Sequence, residues 1–431
     1  MKRILALSTA LAVWTGCLAD SWSLDSCINY AIEHNITVKS RKLDTRSAEL
    51  AVTEAKDAFL PQVQGSASQS FSFGRGLTSE NTYADRNTSQ FGWNIGMSLP
   101  LFQGLSAKRR LDYSRANLQA IAEQCEVAKD NVELQVISQY LQVLYCGEML
   151  DVAMEQERMS RVQLDRCKVL VEEGKTPELE LTQAEAQVAQ NHLSVVNAEN
   201  DRMLALLDLS QLLQLPTMDG FDVQPLSETA SLLPGVSEVY DNALRNNHAI
   251  KAGRLALTAA EKNISVARTG YIPRLSFTAG IGSSYYNLSG AQNPPFHRQM
   301  RDNLSKSLGF SLSIPIFDAF STRNSVRRAK IQHTSAMLSL EDAQSNLYKS
   351  INQAYRQAMA SESKHEAALV AEKSTKAAYD AMEVKYEFGR ANSTELEQSR
   401  SEYIRARMQT VQSRYETLLR MRILSFYNRT E

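Results

Sequence analysis

Four segments of the chain alternate apolar and polar residues with a period of two. In residues 62–73, Val63, Gly65, Ala67, Phe71 and Phe73 oppose Gln62, Gln64, Ser66, Ser68, Ser70 and Ser72. In residues 90–102, Phe91, Trp93, Ile95, Met97, Leu99 and Leu101 oppose Gln90, Gly92, Asn94, Gly96 and Ser98. Residues 274–286 and 306–317 repeat the design, for example Leu308, Phe310, Leu312, Ile314 and Ile316 against Ser307, Gly309, Ser311 and Ser313. This period predicts β-strands with unlike faces. Each run has about the ten residues that a tilted strand needs to cross a bilayer. The connection within each pair is polar, and Pro294-Pro295 in the second rules out a tight hairpin turn there.

The rest of the chain follows a helical period. Residues 24–58 are rich in Ala, Leu, Glu and Lys and stop before Pro61, which predicts one helix. Residues 106–171 contain no proline and one glycine, Gly147. As a helix that stretch is roughly 100 Å long at the standard rise. Leu111, Leu118, Cys125, Val132, Cys146 and Ala153 recur at multiples of seven, the stride of a coiled-coil seam. A turn at "EEGKTPELE" precedes a helix over about 177–213. The second half repeats this: helix to 386, a turn at "EFGRANSTE", helix to about 425.

The repetition is literal. Ala31, Asn35, Lys39, Leu43, Ala48, Glu49, Ala55 and Pro61 each recur 212 positions later. Beyond the next loop the offset becomes 215, pairing Pro100 with Pro315, Phe102 with Phe317, Tyr140 with Tyr355, Gly174 with Gly389, Leu181 with Leu396 and Gln183 with Gln398. The chain is a tandem duplication, with residues 1–19 as a leader, 20–225 as the first repeat and 226–431 as the second. The bridge between them carries Pro216, Gly220, Pro225, Pro234 and Gly235, as a linker should.

The polar faces of the four strands are Ser, Gly, Gln and Asn, almost without charge. That suits the wet interior of a transmembrane barrel, with the apolar face toward lipid. Hydrocarbon tolerates no open sheet edge. Four strands are too few to enclose water, so further copies of the chain must complete the sheet. Two copies would give a narrow, side-chain-filled barrel, and three copies a twelve-stranded channel.

Composition narrows the function. The 431 residues carry 47 basic and 48 acidic side chains, a balance that argues against a nucleic-acid binder. The six histidines are scattered, no catalytic constellation stands out, and neither a cofactor nor a metal site is expected. Lys2 and Arg3, the apolar run 4–13 and Cys17-Leu18-Ala19 resemble a secretory signal, with lipid attachment at Cys17 as an alternative. Cys125, Cys146 and Cys167 lie 21 residues apart, about 30 Å along a helix, so they are read as small apolar filler rather than disulfides.

The order helix–strand–strand–long helix–turn–helix, given twice, with Pro-x-Phe closing each strand pair, resembles the TolC family of outer membrane efflux proteins. "SLPLFQG", "SIPIFDA", "EEGKTPELELTQAEA" and "YEFGRANSTELEQSRSEY" carry the resemblance. It implies a trimeric twelve-stranded β-barrel in the outer membrane, continued by a long α-helical barrel across the periplasm. It also implies a passive duct of a tripartite efflux or secretion system, working with a periplasmic adaptor and an inner-membrane transporter of the RND or ABC class. Pro100, Phe102, Pro315 and Phe317 would mark the junction of barrel and tunnel. The alternative is a periplasmic coiled-coil adaptor whose strands form a soluble sandwich.

The resemblance places a periplasmic gate at Glu180, Glu395, Gln398, Tyr386 and Arg390. Glu180 and Glu395 each lie six residues after a tip glycine, where similar proteins carry an acid. Gln398 departs from the acid found at its place, and Ala391 stands where a basic residue is usual, with Arg390 one step earlier. Tyr386 matches a tyrosine that helps latch the mouth. The plainer reading of both glutamates is support of a helix N-terminus. The tip turns Gly174-Lys175-Thr176 and Gly389-Arg390-Ala391 would meet the adaptor. The clusters Lys108, Arg109, Arg110 and Arg323, Arg327, Arg328, Lys330 open the long helices below the strands. They are read either as a contact for anionic headgroups or as a solvated rim with local ion pairs.

Overall fold

The structure, a computed structural model, describes residues 21–77, 82–85, 87–218, 220–226 and 235–429. The expected leader and Cys17 lie outside the described residues, as does Pro234 of the linker. The first repeat holds β1 (Ser21–Trp22), α1 (Leu24–His34), α2 (Ile36–Asp57), β2 (Gln62–Ser72), β3 (Arg75–Leu77), β4 (Tyr83–Asp85), β5 (Thr88–Phe102), α3 (Ser106–Glu172) and α4 (Glu178–Leu213). After β6 (Asp222–Val223) come α5 (Val236–Asn246), α6 (His248–Ala267), β7 (Arg274–Leu288), α7 (Phe296–Asp302), β8 (Ser305–Ser313), α8 (Ser321–Glu387) and α9 (Ser393–Tyr427). Two compact units result: one from described residues of 43–124 and 249–343, the other from the described residues before 43, within 125–248 and after 343.

The first unit contains the four alternating segments as one antiparallel sheet, in the order β2-β5-β7-β8. β5 and β7 have 15 residues each. At about 3.3 Å per residue and a 45° tilt they rise about 35 Å, enough for the apolar band of an outer membrane. The side chains of the apolar row stand outside any core: Phe310 is 72% exposed and Leu308 79%. β2 and β8 each have one neighbour among the described residues, so the sheet has two open edges.

Two expectations about the strands need correction. Residues 306–317 were expected to be strand throughout, with Pro100 and Pro315 at equivalent strand ends. β8 instead stops at Ser313, two residues before Pro315, whereas Pro100 lies inside β5 opposite Ser276. The reason is local. β2 pairs with β5 no further than Ser98, so on that side nothing asks Pro100 for its missing N–H. A register shift between Pro100 and Phe102 absorbs the remaining irregularity.

The connections are also more ordered than polar loops. β3 and β4 form a small hairpin, and α7 packs back on β7. β7 extends beyond β8, and side-chain amides take the place of the absent strand. Gln299 Oε1 accepts from Tyr286 N and its Nε2 donates to Tyr286 O, both at 3.0 Å. Asn293 does the same for Leu288, at 3.0 and 2.8 Å, and Asn303 Nδ2 donates to Ser284 O at 2.7 Å. Tyr286 and Leu288 on the bare edge are thereby satisfied at both backbone groups, and Ser284 at its carbonyl.

The second unit is helical. The single helix expected over 24–58 is two, broken at Asn35 (φ −59°, ψ 133°). Asn35 makes the break inexpensive: its Oδ1 accepts from Thr37 N at 2.8 Å and its Nδ2 donates to Leu212 O at 3.1 Å. Asn247 ends α5 with nearly the same angles, and both asparagines cap through N–H bonds to an alanine carbonyl, Ala31 or Ala243. Two of the identities that exposed the duplication are thus one helix-ending device.

The two-residue strands β1 and β6 pair in parallel, so part of the linker is tied to the first described residues. Beneath them the fully buried Tyr140 donates its hydroxyl toward Gln224 O (2.7 Å) and Trp22 O (3.0 Å). Cys27, Leu209 and Leu213 share that core. The four described cysteines are buried free thiols, and burial pushes Cys27 up to about 12. α9 and the residues just past its end are joined to α3 by ion pairs in antiparallel step: Arg407 with Glu155, Arg414 with Glu148 (2.7 Å) and, beyond the helix, Arg429 with Glu133. Seven residues up α9 meet seven residues down α3, then fifteen meet fifteen.

Candidate gate and tip turns

Both turns at the helix ends are Schellman motifs. In the first, Lys175 N donates to Leu170 O (2.8 Å) and Gly174 N to Val171 O (2.9 Å). In the second, Arg390 N donates to Lys385 O (2.8 Å) and Gly389 N to Tyr386 O (3.0 Å). Gly174 and Gly389 hold φ of 70° and 67°, left-handed values that an added Cβ would strain. The glycines were legible in the sequence because this motif needs them.

The helices leaving these turns start differently. α9 begins with a capping box: Asn392 Oδ1 accepts from Glu395 N at 2.8 Å, and Glu395 Oε2 accepts from Asn392 N at 3.1 Å. α4 follows Pro177, which has no side chain to cap with, and its first turn carries Glu178 and Glu180. The carboxylate of Glu395 is therefore occupied at a helix N-terminus, while Glu180 borders two cavities.

The first cavity, about 380 Å³, is bordered by Glu180, Gln183 and Gln187 of α4 and by Gln398 and Arg400 of α9. Arg400 is only 4% exposed and pairs with Glu397. The second, about 640 Å³, brings Glu180 and Thr176 to Tyr386, Gly389 and Ala391. Of the expected gate residues, Glu180, Gln398 and Tyr386 border these cavities. Glu395 and Arg390 do not, nor do Gly174 and Lys175 of the first tip; Lys175 pairs with Glu173 at 2.6 Å.

Two neighbouring side chains escaped the sequence reading. Gln163 Nε2 donates to the Tyr386 hydroxyl at 3.0 Å, and Arg166 reaches Glu387 at 3.3 Å and Glu383 at 3.9 Å. These contacts tie the end of α3 to the end of α8. Ser160, Gln163 and Cys167 follow a helical stripe in the sequence, but nothing there says which helix the stripe faces.

A family model described as "Outer membrane efflux protein" matches residues 27–214 and 239–425. The chain belongs to the outer membrane efflux protein family. The outer membrane efflux protein BepC of Brucella suis is 23% identical over 359 residues, covering 83% of this chain and 74% of BepC. Outer membrane protein TolC of Escherichia coli K12 is 22% identical over 429 residues, covering 97% of this chain and 85% of TolC. The crystal structure of the Campylobacter jejuni CmeC outer membrane channel superposes with a TM-score of 0.78 at 18% identity, over 94% of this chain and 85% of CmeC.

This outer membrane efflux protein is accordingly an outer membrane channel of the tripartite efflux and secretion systems, lying in the outer membrane and reaching into the periplasm. The adaptor alternative is set aside. The family's members are channel proteins rather than enzymes.

Proposed function

We propose that the protein works as a homotrimeric duct without catalytic activity, docked at its periplasmic end to an adaptor and, through it, to an inner-membrane RND or ABC transporter. One observation carries the trimer: a four-stranded sheet with two open edges and an exposed apolar row, in a chain of the outer membrane. Neighbouring copies complete the sheet by setting β8 of one against β2 of the next. Residues 20–225 and 226–431 then serve as two like repeats, giving a three-fold assembly near six-fold regularity.

At the tips, the turns 174–176 and 389–391 present themselves to the adaptor. Glu180 supplies three carboxylates around the axis, favouring cations at the constriction. Gln163–Tyr386 and Arg166–Glu387 hold the two helix pairs of one copy together when the mouth is closed. Gln398 and Arg390 line the approach, and Glu395 keeps α9 in shape. Pro100, Phe102, Pro315 and Phe317 mark the turn from strands to tunnel.

Cysteine pairs test the assembly, one placed on β2 at Ala67 and one on β8 at Leu308 or Phe310, since the native thiols are buried. Mild oxidation of intact outer membranes should give a covalent ladder ending at three chains. A ladder ending at two, or none for any register along β8, overturns the trimer.

A further inference from the structure

We propose that the basic starts of α3 and α8, together with the apolar collar at the strand–helix corners, form a binding surface for the anionic phospholipid headgroups of the periplasmic leaflet. The inference rests on the outer membrane barrel and adds a lipid preference to it.

The collar comes first. The four corners at which β2, β5, β7 and β8 join α2, α3, the turn after α6 and α8 carry large apolar side chains that are half or more exposed. Phe59 ends the approach to β2, Leu105 follows β5, Tyr271 precedes β7, and Ile316, Phe317 and Phe320 follow β8. Ile316 is 95% exposed. Such a band belongs at the boundary between hydrocarbon and headgroups.

Cations stand directly beyond it. Lys108, Arg109 and Arg110 come three to five residues after Leu105, and Arg323, Arg327 and Arg328 three to eight after Phe320. At 1.5 Å per residue they lie about 5–12 Å past the collar, the depth of a headgroup layer. None of the six makes an ion pair among the described residues. Arg109 donates to Ser265 O at 3.0 Å, and Arg323 sits over the Phe320 ring at 4.4 Å. A solvated rim neutralised by local ion pairs is therefore not what the two clusters form.

The placement also runs against the helix dipole. α1, α4, α5 and α9 carry an acid in the first turn, as the dipole favours, whereas α2, α6 and α7 do not. α3 and α8 carry none there and place cations in that turn, and at α8 the carboxylate of Asp318, just before the helix, accepts from Thr322 N at 2.7 Å. The periplasmic leaflet supplies phosphate-bearing headgroups at that depth, which commits the surface to anionic phospholipid.

The test uses the full-length protein in phosphatidylethanolamine vesicles containing spin-labelled phosphatidylglycerol or, in parallel, spin-labelled phosphatidylcholine. The fraction of label immobilised by the protein is read by electron paramagnetic resonance. The wild type should prefer phosphatidylglycerol about three- to ten-fold, and 1 M salt should reduce that preference. Lys108→Gln with Arg110→Gln, Arg327→Gln and Arg328→Gln should bring it below about two-fold, while Lys373→Gln with Lys376→Gln on the distant part of α8 should leave it unchanged. A wild type without preference, a four-fold variant that keeps it, or a control that loses it equally overturns the inference. Conductance of the same vesicles separates the two levels: conducting channels without lipid preference defeat the headgroup surface alone, and protein that neither inserts nor conducts defeats the barrel and the surface together.

Discussion

At the first tip Glu180 follows an uncapped start of α4 and borders two cavities; at the second, Glu395 is spent on a capping box with Asn392. The same divergence appears at the other end of the long helices. Where β5 meets α3, Gly104 and Leu105 are left-handed (φ 61° and 63°); where β8 leads to α8, Ala319 and Phe320 are (φ 50° and 64°). Duplication preserved the backbone path twice and let the side chains specialise, so positions that align between the repeats need not share a task.

The largest effect should come from that corner. A Cβ on Gly104 would lie 2.5 Å from Cβ of Ile272, on backbone that already disfavours one. Gly104→Ala should therefore cost about 2–4 kcal/mol, combining backbone strain with overpacking. At the equivalent place in the second repeat, Ala319→Gly relieves a left-handed alanine and should be neutral or stabilise by up to about 1 kcal/mol. Thermal midpoints of the two variants check the contrast. Equal destabilisation by both would mean that the corners are not built differently.

The latch is equally one-sided. Tyr386 receives the Gln163 amide, whereas its counterpart in the first repeat is Val171 and that of Gln163 is Ala378. Tyr386→Phe should remove about 0.5–1.5 kcal/mol of tie and raise the open fraction of single channels. Gln163→Ala should add little on top, since both changes break one bond. Fully additive openings would show that the two residues act separately.

For the carboxylates the prediction is a split. Glu180→Gln should lower the cation-to-anion permeability ratio by about two-fold or more in planar bilayers. Glu395→Gln should change neither selectivity nor stability, because glutamine also completes a capping box. Glu395→Ala should cost about 0.5–1 kcal/mol without touching selectivity. Selectivity that responds to Glu395→Gln would put the second carboxylate back into the gate.

Much of this architecture is legible in the sequence. The strand alternation, the helix-ending glycines and the recurring identities each reflect a local rule, so local sequence carries them. What could not be read depends on partners distant in the chain. The break at Asn35 is made tolerable by the Leu212 carbonyl 177 residues away. Gln299 looks like any loop glutamine until the bare edge of β7 is seen. Pro100 sits inside a strand only because β2 stops short beside it. Arg407 and Glu155 reveal their ladder only once the register of α9 on α3 is known. At the tips the motif and its glycines were visible, but whether a glutamate caps a helix or faces a cavity turns on one residue, Asn392 against Pro177.

A comparison by pH separates the long helices themselves. Asp130 and Glu133 of α3 correspond to Ser345 and Tyr348 of α8, so an acidic pair in one repeat is replaced by a hydroxyl and a ring, and Tyr348 meets Tyr240 edge-on at 5.2 Å. Burial pushes the Asp130 carboxyl up to about 6; Glu133 and Glu126 add to the rise, and His248 and Arg429 oppose it. A folded-state value above the unfolded one favours the protonated form in the folded protein. Its stabilising contribution is therefore complete below about pH 4 and is lost as the pH rises through about 6. Asp130→Ser gives α3 the residue that α8 carries and should remove this component. The thermal midpoint of the wild type relative to the variant should fall between pH 4 and pH 6.5 and level off above. A difference that stays flat across that range would mean that Asp130 remains ionised in the folded protein, and that the two long helices differ there in packing but not in proton binding.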